Sequence, residues 1–366
     1  MNDQTLNKIT IIIPTYNRSG CLRQLLDYYN SYKVDYEIIV ADSSSDKNKA
    51  LNKEIISSFP NLKILYLGDY SEQIKLFDKF ADSVNYAKSK YCLFCADDDF
   101  ITPNGINQSM DFLENNPDYQ IAQGSYLFFI VKTKKRGEKK FYWSFGYSHQ
   151  SITSSDPKLR LTKHLSNYSQ PTLYGVHRTD FLRMISKETI KYTNDGRFGE
   201  FLPSVLTLIY GKAKCLDVLY SAREVIPNSL SGTNKTIYDF IREGSYYEKY
   251  IKFKNCLAAH LTKKSQLDIE ESKKLIDNAM AMYMKFDYKH FLMDKIKYIL
   301  DTFRAPDWIY HKIRSFLRFL YGKYIFFTKV RKKYKCLDSL DGFLVGYQND
   351  FNRIRTQVIS CAKTNE

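Results

Sequence analysis

The chain contains few of the features that mark a secreted, disulfide-bonded or membrane-spanning protein. No apolar run reaches the roughly eighteen residues that a helix needs to cross a bilayer. The seven cysteines are an odd number scattered along 366 residues, and no signal peptide is recognisable. We therefore expect reduced thiols, a cytoplasmic location and no transmembrane helix.

Cysteine and histidine also lack the spacing of metal or redox sites. Cys92 and Cys95 form a Cys-x-x-Cys pattern, but residues three apart on a strand point to opposite faces and no second pair lies nearby. We interpret both as small buried apolar side chains. The histidines show no ligand spacing. Zinc-finger spacings and RNA-recognition aromatic motifs are absent as well, so nucleic acid is not an expected partner.

Positive charge, in contrast, is abundant. The chain carries 55 Lys and Arg residues against 40 Asp and Glu, a formal net charge of +15. This excess implies an anionic partner, which can be a nucleotide diphosphate, a lipid headgroup surface or nucleic acid; charge alone does not choose among them.

Residues 8 to 100 alternate short apolar runs with longer amphipathic stretches. This alternation predicts βαβ units and an α/β fold with a mostly parallel sheet flanked by helices. We predict strands near 9–13, 36–41, 62–67 and 91–95, and helices near 20–31, 47–58 and 72–88. A helix over 103–115, an edge hairpin of strands 119–131 and 141–147, a helix over 179–191 and a strand over 213–219 follow.

We place a domain boundary near Gly232, where proline becomes rare and helical periodicity takes over. Residues 1–232 then form the sheet domain, and residues 233–366 form a mainly helical, basic and aromatic C-terminal region. Within that region we predict helices over 236–262 and 267–303.

Two of the predicted strands end in polar clusters. The first strand runs into the sequence PTYNR at 14–18, and the fourth runs into Asp97, Asp98 and Asp99. Ligands collect at the carboxyl ends of strands in an open α/β sheet, so both clusters belong to one candidate site. Asp97 and Asp99 lie on the same side of an extended backbone, where like charges repel unless a cation lies between them. Mg²⁺ or Mn²⁺ carrying a diphosphate suits such oxygen ligands.

At these motifs the sequence resembles the family 2 glycosyltransferases. The resemblance rests on PTYNR at 14–18, on EIIVADSSSD at 37–46, and on the aspartate triple followed by Pro103. It covers roughly residues 8 to 225 and implies the A-type glycosyltransferase (GT-A) fold. On this resemblance, residues of about 8–118 form the nucleotide-sugar half and residues of about 119–232 the acceptor half.

The resemblance also implies roles for individual residues. In the family, the first loop and the aspartate after the second strand hold the nucleotide, and the acidic triple holds the metal on the sugar diphosphate. The residues implied in nucleotide-sugar binding here are Pro14, Thr15, Tyr16, Arg18, Asp42, Asp97 and Asp98, and the implied metal ligands are Asp97 and Asp99.

Several of these residues have more than one chemical interpretation. Tyr16 can stack on the base, and Arg18 can pair with phosphate or cap the loop. Asp42 can accept hydrogen bonds from the base or ribose, or it can cap the serine turn that follows it.

The family's usual Glu-Asp base motif is absent as such. The nearest match is the GEFL sequence at 199–202, which makes Glu200 the first candidate for the base that takes the acceptor proton and Asp195 the second. We predict a helix that begins near Glu200 with Pro203 in its first turn. At the start of a helix, Glu200 can instead be an ordinary acidic residue of the first turn, where the helix dipole favours negative charge. Arg223 is a weaker candidate for a phosphate contact.

The resemblance implies a metal-dependent glycosyltransferase that moves a sugar from a nucleotide-sugar donor to a glycan or lipid-linked acceptor, as in bacterial surface-polysaccharide synthesis. One alternative is a sugar-nucleotide pyrophosphorylase, which normally has a glycine-rich loop where PTYNR stands. The other is a basic membrane- or nucleic-acid-binding module without catalysis.

The stretch 306–335 sets apolar residues, among them Trp308, Phe316 and Phe327, at helical intervals among basic residues. Such a helix can lie on an anionic membrane surface, which would place the protein peripherally on the inner face of the plasma membrane. It can equally pack its apolar stripe against the other C-terminal helices.

Overall fold

The computed structural model describes residues 8–133, 139–145, 150–166, 168, 172–193, 195–225, 235–302, 309, 312, 335–336 and 347–361. Its strands are β1 Ile9–Thr15, β2 Glu37–Asp42, β3 Lys63–Leu67, β4 Tyr91–Phe94, β5 Asp99–Ile101, β6 Tyr119–Thr133, β7 Lys139–Phe145, β8 Val176–Arg178, β9 Lys212–Glu224 and β10 Lys335–Cys336. Its helices are α1 Ser19–Ser31, α2 Asp46–Ser57, α3 Leu76–Ser83, α4 Pro103–Asn115, α5 Pro157–Ser166, α6 Thr179–Tyr192, α7 Gly196–Tyr210, α8 Ile237–Arg242, α9 Tyr246–Lys264, α10 Ile269–Thr302 and α11 Gln348–Cys361.

The strands form one mixed sheet in the order β10-β7-β6-β8-β4-β1-β2-β3, and β9 pairs with both β6 and β5. The section from β4 to β3 is parallel, so the carboxyl ends of its strands meet at one edge. β8 joins this section antiparallel to β4. The predicted fold class is confirmed: an α/β sheet flanked by helices and followed by helices.

Alternate residues of the central strands face two hydrophobic cores. Ile11 and Ile38 belong to one core, and Ile12 and Ile39 belong to the other, all with no exposed surface. Burial on both faces explains why these strands are continuous apolar runs in the sequence. The Cys-x-x-Cys pair is divided in the same way, since Cys92 and Cys95 are free thiols in opposite cores, as predicted.

Helices from both ends of the chain cover these cores. Phe351 and Ile354 of α11 are buried in the first core beside residues of α1, and Phe253 and Tyr283 of α9 and α10 are buried in the second. The predicted boundary at Gly232 lies outside the described residues and stays a prediction.

Most of the predicted membrane-facing stripe, Trp308, Phe316 and Phe327 included, also lies outside the described residues; of positions 306–335, only 309, 312 and 335 are described. Within the part of the chain that the structure describes, no helix has both the length and the apolar character needed to cross a bilayer.

Some predicted elements differ from the structure. The helix predicted over 72–88 is shorter, because α3 ends at Ser83 and a 3₁₀ helix follows over Val84–Tyr86. The helix predicted over 236–262 is interrupted at Gly244, whose φ of +73° is a left-handed conformation that glycine adopts without strain. β5 and β8 were not predicted, because strands of three residues are too short to carry a periodic signal.

Two buried histidines make the stability of this fold dependent on pH. Burial lowers the pKa of His164 in α5 and of His177 in β8 to about 4 in each case. The pKa of histidine in the unfolded chain is about 6.5. The stability that the neutral, buried rings contribute is therefore present above about pH 6.5 and is lost as the pH falls towards 4. We expect His164→Leu to remove roughly 2 kcal/mol of the acid destabilisation near pH 5.

Urea denaturation of the wild type and of His164→Leu, near pH 7.5 and near pH 5, tests this expectation. The difference in unfolding free energy between the two proteins should shift in favour of the variant at the lower pH. An equal pH dependence in both proteins would show that His164 does not titrate on unfolding.

Candidate active site

The loops after β1 and β2 are tied together by short hydrogen bonds. Asn17 has a φ of 53°, a left-handed conformation that asparagine tolerates better than most residues. In this conformation its Oδ1 accepts hydrogen bonds from Ser45 N at 2.9 Å and Asn48 Nδ2 at 3.1 Å, and its own backbone N donates to Ser44 Oγ at 2.8 Å. The two loops are thereby held against each other at the carboxyl edge of the sheet.

A buried lysine supports both loops from α3. Lys79 is 4% exposed, and its Nζ donates to Thr15 O at 3.0 Å and Ser43 Oγ at 2.9 Å. Burial lowers the pKa of Lys79 to about 8, against the opposing effect of Asp42 and Asp97. Sequence reasoning missed this residue, because lysine is almost always exposed and nothing in the pattern of α3 indicates otherwise.

Arg18 joins the first loop to the acidic triple. Its Nη1 lies 2.9 Å from Asp97 Oδ1 and its Nη2 lies 2.7 Å from Asp98 Oδ2. Thr15 Oγ1 donates to the other oxygen of Asp97 at 2.8 Å. The structure therefore brings together the two clusters that the sequence assigned to one site, and it engages Arg18 with carboxylates, a partner that the sequence analysis did not consider.

Asp99 has its own arginine partner. Residue 99 opens β5 and stands opposite Arg223 in the antiparallel pairing of β5 with β9, and Arg223 Nε lies 2.8 Å from Asp99 Oδ2. The guanidinium also lies 5.2 Å from the centre of the Tyr174 ring. Sequence reasoning treated Arg223 as a weak phosphate candidate, because a pairing between segments more than a hundred residues apart leaves no local signal.

The carboxylates of this cluster outnumber the two arginines that pair with them. Burial raises the pKa of Asp97 to about 7 even though Arg18 opposes the shift, and it raises that of Asp99 to about 7 against Arg223. Burial also raises the pKa of the nearby Glu224, and Asp98 adds to that shift. A cation placed here would stabilise all of these carboxylates.

The donor set fits a hard divalent cation. Among the described residues, Asp98 Oδ1 and Asp99 Oδ1 accept no hydrogen bond, whereas both oxygens of Asp97 already have protein donors. Carboxylate oxygens are the ligands that Mg²⁺ and Mn²⁺ prefer. Asp99 is thus better placed than Asp97 for direct contact with a metal ion.

Asp42 is completely buried and caps the serine turn. Its Oδ1 accepts a hydrogen bond from Ser44 N, and its Oδ2 accepts from Asn52 Nδ2 and Tyr66 Oη, each at 2.8 Å. This is one of the two roles that the sequence allowed. A contact with the base or ribose stays a prediction.

The other first-loop residues differ in accessibility. Tyr16 is 45% exposed, so a face of its ring is open to a stacking partner. Pro14 stands opposite Ala41 in the pairing of β1 with β2, which places it in the strand below the loop.

The helix that carries Glu200 begins earlier than predicted. α7 starts at Gly196, and Asp195 is its N-cap: Asp195 Oδ1 accepts from the backbone N of Arg197 at 3.1 Å and of Phe198 at 2.8 Å. The prediction of a start near Glu200, with Pro203 in the first turn, is wrong, because the aspartate caps the helix a full turn upstream. The other oxygen of Asp195 accepts from Lys249 Nζ of α9 at 3.1 Å.

Glu200 instead lies in the second turn of α7 and is half-buried. Burial raises its pKa. The positive charge of Arg223 and, to a smaller extent, that of Arg197 oppose this shift. No described residue donates a hydrogen bond to its carboxylate. The positive charge of Arg223 therefore acts on Glu200 as well as on Asp99, with which it forms an ion pair.

The arrangement defines a ligand-binding α/β domain in which loops after neighbouring parallel strands meet an acidic cluster at the carboxyl edge. Residues 10–176 match the family model described as glycosyl transferase family 2. This part of the chain is similar to that family, in keeping with its α/β sheet flanked by helices. The matched segment contains Arg18, Asp42 and the acidic triple, whereas Glu200 and Arg223 lie beyond it.

Solved structures with similar architecture include S. aureus TarS residues 1–349 in complex with UDP-GlcNAc, which is 16% identical with a TM-score of 0.46 and covers 76% of this chain and 71% of that one. The mannosyltransferase PcManGT from Pyrobaculum calidifontis, in complex with GDP-Man and Mn²⁺, is 13% identical with a TM-score of 0.41 and covers 79% of this chain and 84% of that one. Similarity at this level does not identify a substrate. No curated protein sequence matches the chain.

Proposed function

We propose that this chain is a metal-dependent glycosyltransferase that moves a sugar from a nucleotide-sugar donor to a glycan or lipid-linked acceptor. The observation that carries the proposal is the junction of the first loop with the acidic triple through Arg18 and Thr15. This junction sets an exposed aromatic ring, Tyr16, at the same edge as the Oδ1 atoms of Asp98 and Asp99, which have no hydrogen-bond donor among the described residues, in a segment that matches the family 2 model.

The donor would bind across this edge. Tyr16 would stack on the base, and the loops held by Lys79 and Asn17 would fix the position of the nucleotide. A Mg²⁺ or Mn²⁺ ion held by Asp99, with Asp97 and Asp98 beside it, would supply positive charge to the departing diphosphate. Arg223 keeps Asp99 in place through its 2.8 Å ion pair.

Glu200 is the proposed base. Its carboxylate has no donor among the described residues, so both oxygens can accept a proton from an acceptor hydroxyl. Its raised pKa makes it a stronger base than an exposed glutamate. Similarity to family 2 favours transfer over the pyrophosphorylase and the non-catalytic alternatives.

Calorimetric titration of nucleoside diphosphates, with Mn²⁺ or with a chelator, tests the proposal. At about a hundred times its dissociation constant, the preferred nucleotide should stabilise the fold by roughly 2.7 kcal/mol. Incubation with the matching nucleotide-sugar should then release nucleoside diphosphate slowly without an acceptor and faster with one. If no nucleoside diphosphate or nucleotide-sugar binds under either condition, the proposal is wrong.

Substitution of Asp195 distinguishes a helix cap from a base. Asp195→Ala removes the acceptor for two backbone N–H groups of α7, and we expect a loss of about 0.5–2 kcal/mol in unfolding free energy. Transfer at a temperature where the variant is folded should stay within a few-fold of the wild type. A loss of transfer as large as that of a Glu200 variant, with unchanged stability, would make Asp195 the base instead.

The location and the acceptor belong to the same proposal. We propose a cytoplasmic protein that acts in bacterial surface-polysaccharide synthesis and associates peripherally with the inner face of the membrane through the stretch 306–335. Co-sedimentation should then show binding to anionic vesicles, weaker binding at high salt and none to neutral vesicles. Absence of the protein from every pellet would exclude the membrane contact.

A further inference from the structure

Three potential metal ligands meet between α6 and α9, on helices distinct from the loops of the candidate active site. Glu188 lies on α6, and Cys256 and His260 lie on α9. Each offers one ligand atom, and the three atoms all lie within 4.8 Å of one another. A thiolate, an imidazole and a carboxylate are the ligand types that zinc takes in proteins.

The backbone arrangement presents these side chains together. Cys256 and His260 are four residues apart on one helix and therefore share a face. Glu188 reaches the same point from the neighbouring helix, where its Oε2 lies 3.4 Å from His260 Nε2. Its other oxygen, Oε1, lies 3.6 Å from Lys191 Nζ, so the oxygen nearer the histidine is the one available to an ion.

The histidine already has the outer contact that orients a metal-binding ring. Tyr210 Oη lies 2.7 Å from His260 Nδ1. If Nδ1–H donates to the tyrosine oxygen, Nε2 keeps its lone pair and faces Glu188. Metal-binding histidines usually donate their second nitrogen to an oxygen in this way.

The surroundings keep this group away from bulk water. Cys256 is fully buried and His260 is 8% exposed. Burial lowers the pKa of His260, so the ring is neutral at pH 7, as a ligand must be. Lys191 and Lys263 oppose a nearby cation, and the two negative charges of a thiolate and a carboxylate would offset that repulsion.

We propose that Glu188, Cys256 and His260 form a zinc site. On binding, the thiol proton of Cys256 leaves to water and the sulfur bonds to the ion. The contact between Glu188 and His260 is replaced by two bonds to the metal, and a water completes the tetrahedron. The ion would fasten α6 to α9, the helix whose Lys249 binds the N-cap of α7.

Titration of the reduced, chelator-treated protein with Co²⁺ tests the site. We expect one equivalent to bind with the intense visible bands of a tetrahedral ion and a thiolate-to-cobalt charge-transfer band in the near ultraviolet, and we expect Zn²⁺ to displace it. Cys256→Ser should remove the charge-transfer band. Cys215→Ser, which alters a half-buried cysteine on β9 that forms no disulfide, should leave the band unchanged.

Tyr210→Phe provides a variant in which all three ligands remain. Removal of its hydroxyl should lower the affinity for zinc by about 10- to 100-fold while the near-ultraviolet circular dichroism stays that of the folded protein. The proposal is overturned if the wild type gives no charge-transfer band, or if the band persists in Cys256→Ser. It is also overturned if Glu188→Gln and His260→Gln both bind Co²⁺ as tightly as the wild type.

Discussion

Asp99→Asn should abolish the part of nucleotide binding that depends on a divalent ion. The substitution keeps a carbonyl oxygen for Arg223, which now lies 2.8 Å from Asp99 Oδ2, but it removes the negative charge of the proposed metal ligand. Because burial already raises the pKa of Asp99 to about 7, a neutral side chain should be well tolerated at this position and the protein should remain folded.

Calorimetry with the preferred nucleoside diphosphate checks this expectation. For Asp99→Asn, the affinity in Mn²⁺ should fall to the value that the wild type shows in chelator. Asp111→Asn, which removes an exposed carboxylate from α4, should bind as the wild type does. If the wild type binds with the same affinity in chelator as in Mn²⁺, the metal role of the acidic triple is wrong.

Glu200→Gln should lower the rate of transfer by about 10² to 10⁴ and leave donor binding intact. Glutamine preserves the shape of the side chain at this half-buried position, but it cannot take a proton. The raised pKa of Glu200 adds a second signature. In the wild type, transfer should fall as the pH drops through that pKa, and in the variant the residual rate should lose this dependence.

Product formation measured at saturating donor, across a pH series, separates the two effects. The exposed glutamate of α2 gives a matched control, since Glu54→Gln makes the same chemical change far from the site. If the Glu200→Gln variant transfers sugar at a rate close to that of the wild type, Glu200 is eliminated as the base.

The sequence predicted the sheet edge well for a physical reason. Strands buried on both faces are continuous apolar runs, so β1, β2 and β4 could be located, and the polar residues that end them had to meet. The ion pair of Arg18 with Asp97 joins the two clusters at that edge, although the sequence assigned Arg18 to phosphate or to the loop. The partners that come from distant segments, Lys79 and Arg223, could not be predicted, because burial of a charge depends on which elements fold over it.

The start of α7 had a signal that the sequence analysis did not use. Aspartate is among the preferred N-cap residues, and Asp195 stands directly before the helix. We gave more weight to Pro203, which is common in a first turn but lies inside the helix here. The error placed Glu200 at a helix end, where the dipole would act on it, whereas in the structure burial and Arg223 act on its pKa.

The pairing of β9 with β6 and β5 determines how far this chain can be shortened. A fragment that keeps only residues 10–176 would retain Asp99 but lose Arg223, and the long edge of β6 would lose the strand beside it. Leu127 and Phe129 of β6, which are 1% and 0% exposed, would still pair with β7, but the side of β6 that faces β9 would become an open edge, a surface that favours aggregation. The segment that matches the family model is therefore not the segment to express by itself.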